Sequence, residues 1–351
     1  MNRRDFALRS VGKLAEDLCA PEEEADRLEA QSRSCRTLLR FARRLMASQF
    51  EIVLPFGTPE AAALAGAAFD LLDCLEQELT VYRSSSPVSR LNRIAASAAV
   101  PVANDLFDLL SLAKRITRDT EGAFDPSAGS LIKAWGFYRG PKRVPDPAAL
   151  QTALESTGMQ YVDLDSKSKT ARFRRAGLEI NLGSIGKGHA LDRAAGYLKT
   201  QWRVTSALLH GGYSSLYAIG DEPGDGPGWN VGIGHPWRPG YRLARVHLRN
   251  KGMATSAATF QHLEYQGRKL GHILDPRTGW PAEGMASVSV VAPTATEADA
   301  LATAFFILGV EKARAYCLAH PEIGAVLLPK EEEASPIVVG LSSQEVSVSQ
   351  L

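Results

Sequence analysis

The amino-acid sequence predicts an α+β fold, in which mixed strands form sheets and separate helices lie beside them. Two observations support this class. Residues 204–292 consist largely of short strand-like runs separated by Gly and Pro turns, and the clearest helical segments precede or follow this region. Hairpins with segregated helices are typical of α+β domains, whereas regular β-α-β alternation is typical of parallel sheets.

The composition and charge of the chain limit the kinds of molecule and site that we expect. The 351 residues are 45% hydrophobic and 23% charged, which is ordinary for a globular protein. Because 40 Lys and Arg are balanced by 39 Asp and Glu, we expect no nucleic-acid partner. Since no run approaches the roughly 18 apolar residues of a transmembrane helix, we expect no membrane span. The four cysteines are dispersed, so we expect neither a disulfide framework nor a zinc site.

The two ends of the chain are polar. Residues 1–45 are expected to form a polar arm or peripheral helix, 46–330 the main domain of two lobes, and 331–351 a loosely attached tail. The start, MNRRDFALRSVG, is similar to a twin-arginine export signal, but charged residues follow where such a signal needs an apolar stretch. We therefore favour a cytoplasmic protein and keep export as the alternative.

Capping residues and turn residues predict the elements. Helices are expected from Thr58-Pro59-Glu60 to about 80, from Asn104 to Gly122, and from Asp146-Pro147 to Gly158. Further helices should follow the turn at 183–188 to about 198, and cover 297–308 and then the residues up to about 320. Strands are expected over 49–54, 160–164, 171–175, 178–182, 206–210, 214–219, 229–234, 241–249, 262–266, 269–274, 286–292 and 323–328.

Residues 122–127, Gly-Ala-Phe-Asp-Pro-Ser, form the first cluster that could carry chemistry, with Trp-Gly-Phe at 135–137. Pro126 moves Asp125 out of the helical region, which places an aromatic ring and backbone donors on an irregular loop. Such a loop suits a planar ligand. A plain turn, with Trp135 and Phe137 in the core, is the alternative.

Residues 179–192 join a strand to a helix through three glycines and Lys187. Glycines allow close approach of the backbone to a ligand, and a helix N-terminus attracts phosphate. The spacing matches neither the Walker pattern nor the dinucleotide fingerprint. An anion site and a tight structural turn both fit, and the same choice holds for the His-Gly-Gly-Tyr-Ser-Ser run at 210–215.

Two later clusters bear acids and hydroxyls. His272, Asp275 and Arg277 lie around a Pro/Gly turn, where an imidazole suits proton transfer or makes a structural hydrogen bond. Asp299 and Thr303 are four residues apart on one face of an apolar helix. They fit a site of oxygen ligands for a hard cation, or else helix capping and back-bonding to a carbonyl.

Taken in order, these motifs resemble the ApbE family of FAD:protein FMN transferases. The resemblance covers most of the chain, from Met46 to Gly309. The motifs that carry it are Tyr82 with SPVSRLN at 86–92, GAFDPS, WGF, NLGSIGKGHALD at 181–192, HGG at 210–212, ATS at 254–256, HILDPRTGWP at 272–281 and TEADALATAFFILG at 296–309. It implies an ApbE-like, T-fold-like arrangement of mixed sheets with flanking helices, and a flavin cleft between two lobes.

The resemblance also implies roles for individual residues. The positions that look like FAD contacts are Met46, Tyr82, Ala123, Phe124, Asp125, Asn181, Lys187 and Ile273. Ser184, Asp299 and Thr303 look like ligands of Mg²⁺, and His272 and Asp275 are the candidates for proton transfer or substrate orientation. FAD would be the substrate, and the partner an acceptor flavoprotein with a Ser/Thr motif.

Some residues depart from the family's usual pattern. Asn181 stands at a usual Asp, Ala257 at a usual Gly, and Tyr213 at a usual small or acidic residue. A protein that binds FAD without turnover and one that hydrolyses FAD without an acceptor are therefore alternatives to the transferase. The sequence leaves monomer and homodimer open.

Overall fold

A computed structural model describes residues 37–224, 226–238, 240–257, 262–331 and 334–349. Its largest element is an antiparallel sheet of eight strands in the order β1-β2-β6-β7-β10-β13-β14-β15. These strands are β1 (Leu38–Leu45), β2 (Ser48–Pro55), β6 (Ala207–Gly211), β7 (Ser215–Ile219), β10 (Gly252–Ala257), β13 (Met285–Ala292), β14 (Gly324–Pro329) and β15 (Ile337–Val339). The export-signal motif and most of the expected arm lie outside the described residues.

Three small sheets complete the strands. They are β3-β5-β4, β16-β9-β8 and the hairpin β11-β12. Their strands are β3 (Val100–Pro101), β4 (Val162–Asp165), β5 (Thr170–Phe173), β8 (Trp229–Gly234), β9 (Arg242–Leu248), β11 (His262–Tyr265), β12 (Arg268–Gly271) and β16 (Val346–Val348). The expected α+β class is confirmed.

The described residues include seven α-helices. They are α1 (Ala61–Leu79), α2 (Pro87–Ile94), α3 (Asn104–Asp119), α4 (Gly129–Ala134), α5 (Pro147–Ser156), α6 (Gly186–Gln201) and α7 (Ala295–Ala319). Within α7, Gly309 has a non-helical φ of 76°, which agrees with the sequence-based division near 308. No helix in the described ranges is long and apolar enough to cross a membrane.

Both faces of the large sheet are covered, so its central strand β13 is buried at every residue. On one face Leu301 and Phe305 of α7 join Val288 of β13 in an apolar cluster that continues to Phe173 of the small sheet. On the other face the β8–β9 hairpin packs through a second cluster. A strand buried on both faces reads as a continuous apolar run, as 285–292 does.

The first turns of α6 and α7 cap one another. Asp192 of α6 accepts 2.8 Å hydrogen bonds from the N–H groups of Ala295 and Thr296, and Asp299 of α7 accepts one of 3.0 Å from the N–H of Gly188. A Cβ at Gly188 would lie 2.1 Å from the carbonyl oxygen of Ala295, so only glycine permits this approach. The arrangement places Lys187 and Asp299 next to each other.

Four sequence-based expectations were wrong. The first helix begins at Ala61 and not at Thr58, because Glu60 has a left-handed φ of 50° and the Thr58 hydroxyl bonds to the Pro55 carbonyl. Residues 178–182 form only an isolated bridge at Glu179. Residues 38–45 are a sheet strand and not part of a polar arm, since Leu39, Phe41 and Leu45 lie on its more buried face. The tail contributes β15 and β16.

Helix α3 is joined to α6 by Asp105, whose Oδ2 lies 3.0 Å from Nε2 of His189. This hydrogen bond holds the pKa of Asp105 below its ordinary value of 3.8. A depressed pKa in the folded state stabilises the fold above the unfolded value, and the contribution is lost as the pH falls through the folded value. Because the carboxyl is partly exposed, we expect Asp105→Asn to cost about 1 kcal/mol of unfolding free energy at pH 7 and less at about pH 2, where protonation of the carboxyl weakens the contact.

Urea unfolding of wild type and variant at the two pH values measures this difference. Asp108→Asn is the matched control, because Asp108 is an exposed residue of the same helix, 3.5 Å from Lys169. An Asp105→Asn cost that is the same at both pH values would show that the ion pair does not stabilise the fold.

Candidate functional site

A buried carboxylate and an ammonium lie near each other where α6 begins. Asp299 is 8% exposed, and its oxygens accept hydrogen bonds from the Gly188 N–H at 3.0 Å and from the Ser215 hydroxyl at 3.1 Å. Lys187 donates to the Ser214 hydroxyl. Burial raises the pKa of Asp299, and the nearby Lys187 ammonium opposes that rise. The carboxylate is thus a buried charge that a further cation would stabilise.

Two further hydroxyl groups lie one helical turn from Asp299. The Thr303 hydroxyl lies 3.3 Å from that of Ser256 and 3.5 Å from the carbonyl oxygen of Asp299, one turn earlier on α7. In the described part of the chain no three His, Cys, Asp or Glu side chains form a metal cluster. A cation here would therefore use one carboxylate together with hydroxyl, carbonyl and substrate oxygens. Such a donor set suits a hard cation such as Mg²⁺, so these residues fit the expected metal.

Ser184 lies in the loop that leads into α6. The N–H groups of Ile185 and Gly186 bond to the Leu182 carbonyl, which makes a tight turn around Ser184. The Ser184 side chain is half-buried and makes no hydrogen bond with another described residue. Its oxygens are therefore open to a ligand, two residues before the helix whose first turn contacts Asp299.

Asn181 forms part of a cavity of about 250 Å³ between α2 and the loop before α6. Its Oδ1 accepts the Gly183 N–H at 2.9 Å. The neighbouring strand-like segment is fixed by Asn92, which donates to the Ile180 carbonyl and accepts the Ile180 N–H, both at 2.8 Å. Lys133 and Glu179, which form an ion pair, also line the cavity.

An aromatic stack stands beside the same cavity. The rings of Tyr82 and Tyr138 are nearly parallel, with centroids 4.8 Å apart and an interplanar angle of 5°. Tyr138 also lines the cavity, whereas Tyr82 is 53% exposed. The sequence motif contains Trp135 and Phe137. The residue that follows them, Tyr138, is the one that stacks on Tyr82.

Residues 123–125 belong to a different environment. Ala123 and Phe124 are buried, so the Phe124 ring packs in the core, and their contact with FAD stays a prediction. The Asp125 carboxylate accepts the N–H and hydroxyl of Ser127 and the N–H of Met159. Burial raises its pKa, and these hydrogen bonds oppose the rise. Asp125 faces a larger groove of about 740 Å³, which shares no lining residue with the Asn181 cavity.

His272 and Asp275 lie on a tightly hydrogen-bonded turn after β12. The Asp275 carboxylate forms a bidentate ion pair with Arg277, with distances of 2.8 and 2.7 Å. Its backbone carbonyl also accepts the N–H of Gly279 at 2.8 Å. Asp275 therefore fixes the turn, and the half-buried His272 is the better candidate for proton transfer. Ile273 is buried in the core.

Met46 occupies the two-residue turn between β1 and β2. Met46 and Ala47 both have positive φ, at 49° and 57°, and the Met46 N–H donates to Glu76 at 2.8 Å. This turn lies beside the one between β6 and β7, because Ser48 would contact a Cβ added at Gly212.

The structure thus unites part of the expected set. It places Lys187 near Asp299, and Asn181 beside a cavity that adjoins the Tyr82–Tyr138 stack. Thr303, one turn further along α7, bonds back to the Asp299 carbonyl, which is the alternative that the sequence left open. The Asp125 carboxylate contacts Ser127 and Met159 and the Asp275 carboxylate contacts Arg277, so neither contacts Lys187 or Asp299. The sequence reasoning assigned no role to several residues that contact these groups: Asn92, Tyr138, Asp192, Ser214, Ser215 and Ser256. All six lie inside or next to the quoted motifs, and that position was the available signal.

Comparison with known proteins agrees with this geometry. The model of the ApbE family matches residues 46–327. The FAD:protein FMN transferase of Treponema pallidum is 35% identical over 283 residues, which cover 77% of this chain and 78% of that protein. The enzyme of the same name from Escherichia coli K12 is 31% identical over 249 residues, which cover 69% and 70%.

Solved structures show the same architecture. The ApbE protein of Thermotoga maritima has a TM-score of 0.77 at 27% identity, over 86% of this chain and 96% of that one. The apo flavinyl transferase ApbE of Pseudomonas stutzeri has a TM-score of 0.75 at 28% identity, over 87% and 94%. Together with the family match over more than three-quarters of the sequence, these likenesses establish that the chain belongs to the ApbE family.

Proposed function

We propose that the protein is a magnesium-dependent FAD:protein FMN transferase. It would cleave FAD, attach FMN through a phosphoester to a Ser or Thr of an acceptor flavoprotein, and release AMP. The observation that carries this proposal is the buried Asp299 beside Lys187 at the start of α6. Family membership and the names of the relatives support the same activity.

The start of α6 is suited to hold the pyrophosphate of FAD. The positive end of the α6 dipole and the Lys187 ammonium both attract phosphate oxygens, whereas the N–H groups of Gly186 and Gly188 are already bonded within the protein. Lys187 is held by the Ser214 hydroxyl, so its position is fixed before substrate arrives. The Asn181 cavity and the Tyr82–Tyr138 stack would receive a planar ring of the substrate.

Asp299, Thr303 and Ser184 would hold Mg²⁺, with Ser256 as a neighbouring hydroxyl. When bound, the metal would neutralise charge on the pyrophosphate. The hydrogen bonds from Gly188 and Ser215 orient Asp299, and together with the charge of Lys187 they oppose the rise in its pKa that burial causes.

The transfer step needs no reactant other than FAD and the acceptor hydroxyl. The acceptor hydroxyl oxygen attacks the FMN phosphorus, the bond from that phosphorus to the AMP oxygen breaks, and AMP leaves. The hydroxyl proton passes to a base, for which His272 is the candidate. The Asp275–Arg277 ion pair fixes the turn that carries His272.

A direct test is to mix the purified protein with FAD, Mg²⁺ and an acceptor flavoprotein domain from the same genome. We expect AMP release and a flavin-fluorescent acceptor band, both of which EDTA abolishes. AMP release without acceptor would indicate hydrolysis of FAD instead. Tight FAD binding with no AMP under any condition would indicate a flavin-binding protein and would contradict the proposal.

A further inference from the structure

We infer that Tyr138 is a positioning residue for substrate binding, which holds the Tyr82 ring in the plane on which a planar ring of FAD stacks. The inference rests on the proposed function for the identity of the ligand. It concerns a residue outside the motifs that identify the family, since Tyr138 and Arg139 follow the Trp-Gly-Phe run.

Tyr138 is fixed independently of any ligand. Its hydroxyl donates a 2.6 Å hydrogen bond to the carbonyl of Val81, the residue before Tyr82. Arg139 donates a 2.8 Å hydrogen bond to the carbonyl of Tyr82 itself. Tyr138 and Arg139, in the loop after α4, therefore hold the backbone on both sides of the Cα of Tyr82 by hydrogen bonds.

The rings are held as firmly as the backbone. With centroids 4.8 Å apart and an angle of 5°, Tyr138 covers one face of Tyr82, and no space for a third ring remains between them. The Arg139 guanidinium lies 5.3 Å from the Tyr138 centroid and 5.7 Å from that of Tyr82. Cations near aromatic faces stabilise such stacks.

Tyr82 remains 53% exposed although one face is covered. An exposed tyrosine on an irregular loop would otherwise rotate freely, and a ligand that stacks on it would have to restrict that rotation. Because Tyr138 already restricts the rotation of the Tyr82 ring, a ligand that stacks on Tyr82 loses less free energy in ordering it. Tyr138 also lines the cavity that contains Asn181, so the stack lies beside this cavity.

FAD contains two planar heterocycles, isoalloxazine and adenine, and stacking on tyrosine suits either. The shared chemistry is a planar nitrogen heterocycle. FMN carries only isoalloxazine and ADP only adenine, so their binding shows which of the two rings stacks on Tyr82.

The test measures dissociation constants for FAD, FMN and ADP with wild type, Tyr138→Ala, Tyr138→Phe, Tyr82→Ala and the double alanine variant. We expect Tyr138→Ala to weaken FAD binding roughly 3- to 10-fold and Tyr138→Phe to change it less than about 2-fold, because the ring makes the stack. The loss should recur for only one of FMN and ADP. In the double variant the two losses should not add, since Tyr138 acts through Tyr82.

In the transfer assay Tyr138→Ala should raise KM for FAD and leave kcat unchanged. Tyr241→Ala, at an exposed tyrosine in the β8–β9 loop, is the matched control and should change nothing. Each of four results would overturn the inference. They are wild-type FAD affinity in Tyr138→Ala, equal losses of affinity in the Ala and Phe variants, additive losses in the double variant, and no loss of affinity for either FMN or ADP. Failure of the wild type to bind FAD would overturn the proposed function as well. FAD binding without AMP release would count only against the proposed function and not against the role of Tyr138.

Discussion

Asp299→Asn is expected to lower the rate of FMN transfer by at least about 100-fold, because it removes the one carboxylate of the proposed metal site. The substitution keeps the shape of the side chain, and its oxygen can still accept the hydrogen bond from Gly188. The cap of α6 should therefore survive, and so should FAD binding through the ring. AMP release under saturating FAD and Mg²⁺ measures the rate, and the thermal midpoint measures folding.

Glu311→Gln is the matched control for Asp299→Asn. Glu311 is an exposed acid on the same helix α7. Removal of its charge should leave the transfer rate unchanged. An Asp299→Asn variant that is folded and as active as the wild type would show that this carboxylate does not serve the reaction.

Lys187→Met should lower the transfer rate by about 100-fold and weaken FAD binding by about 10-fold, because it removes a fixed charge from the proposed pyrophosphate site. Methionine retains much of the apolar stem, so packing should change little. The measurements are FAD titration by flavin fluorescence and AMP release. Since the proposed partner of Lys187 is the pyrophosphate, binding of riboflavin, which lacks phosphate, should not change.

Lys199→Met provides the control on the same helix. Lys199 is in the last turn of α6, with its ammonium 3.4 Å from the Tyr217 hydroxyl. It should retain wild-type affinity and rate. Loss of riboflavin binding in Lys187→Met would mean that the lysine supports the fold of the ring site and not the phosphates.

Local chemistry predicted much of the fold. Between 204 and 329 every predicted strand is present, and all but 269–274 agree with the observed bounds within one residue, because Gly and Pro turns separate them. Asp146-Pro147 begins α5 as expected, with the Asp146 side chain accepting the Ala149 N–H. At Thr58-Pro59 the same kind of signal failed, since a left-handed Glu60 displaced the start of the helix.

The candidate site was less predictable, because its contacts join distant parts of the chain. Asp299 receives hydrogen bonds from Gly188 and Ser215, which are 111 and 84 residues away in sequence. The resemblance implied that Lys187 contacts FAD and that Asp299 is a ligand of Mg²⁺. It could not predict which hydroxyls surround them, nor that Tyr138 covers one face of Tyr82, since both depend on packing between elements.

The central claim is that the FMN phosphorus is attacked by a protein hydroxyl and not by water. The most direct measurement is mass spectrometry of the products formed in ¹⁸O-labelled water from FAD, Mg²⁺ and an acceptor flavoprotein domain. We predict that FMN is attached to one Ser or Thr of the acceptor, with AMP in equal amount and no ¹⁸O in either product, because the ester oxygen comes from the side chain. Free FMN that carries ¹⁸O, with the acceptor unmodified, would contradict the account.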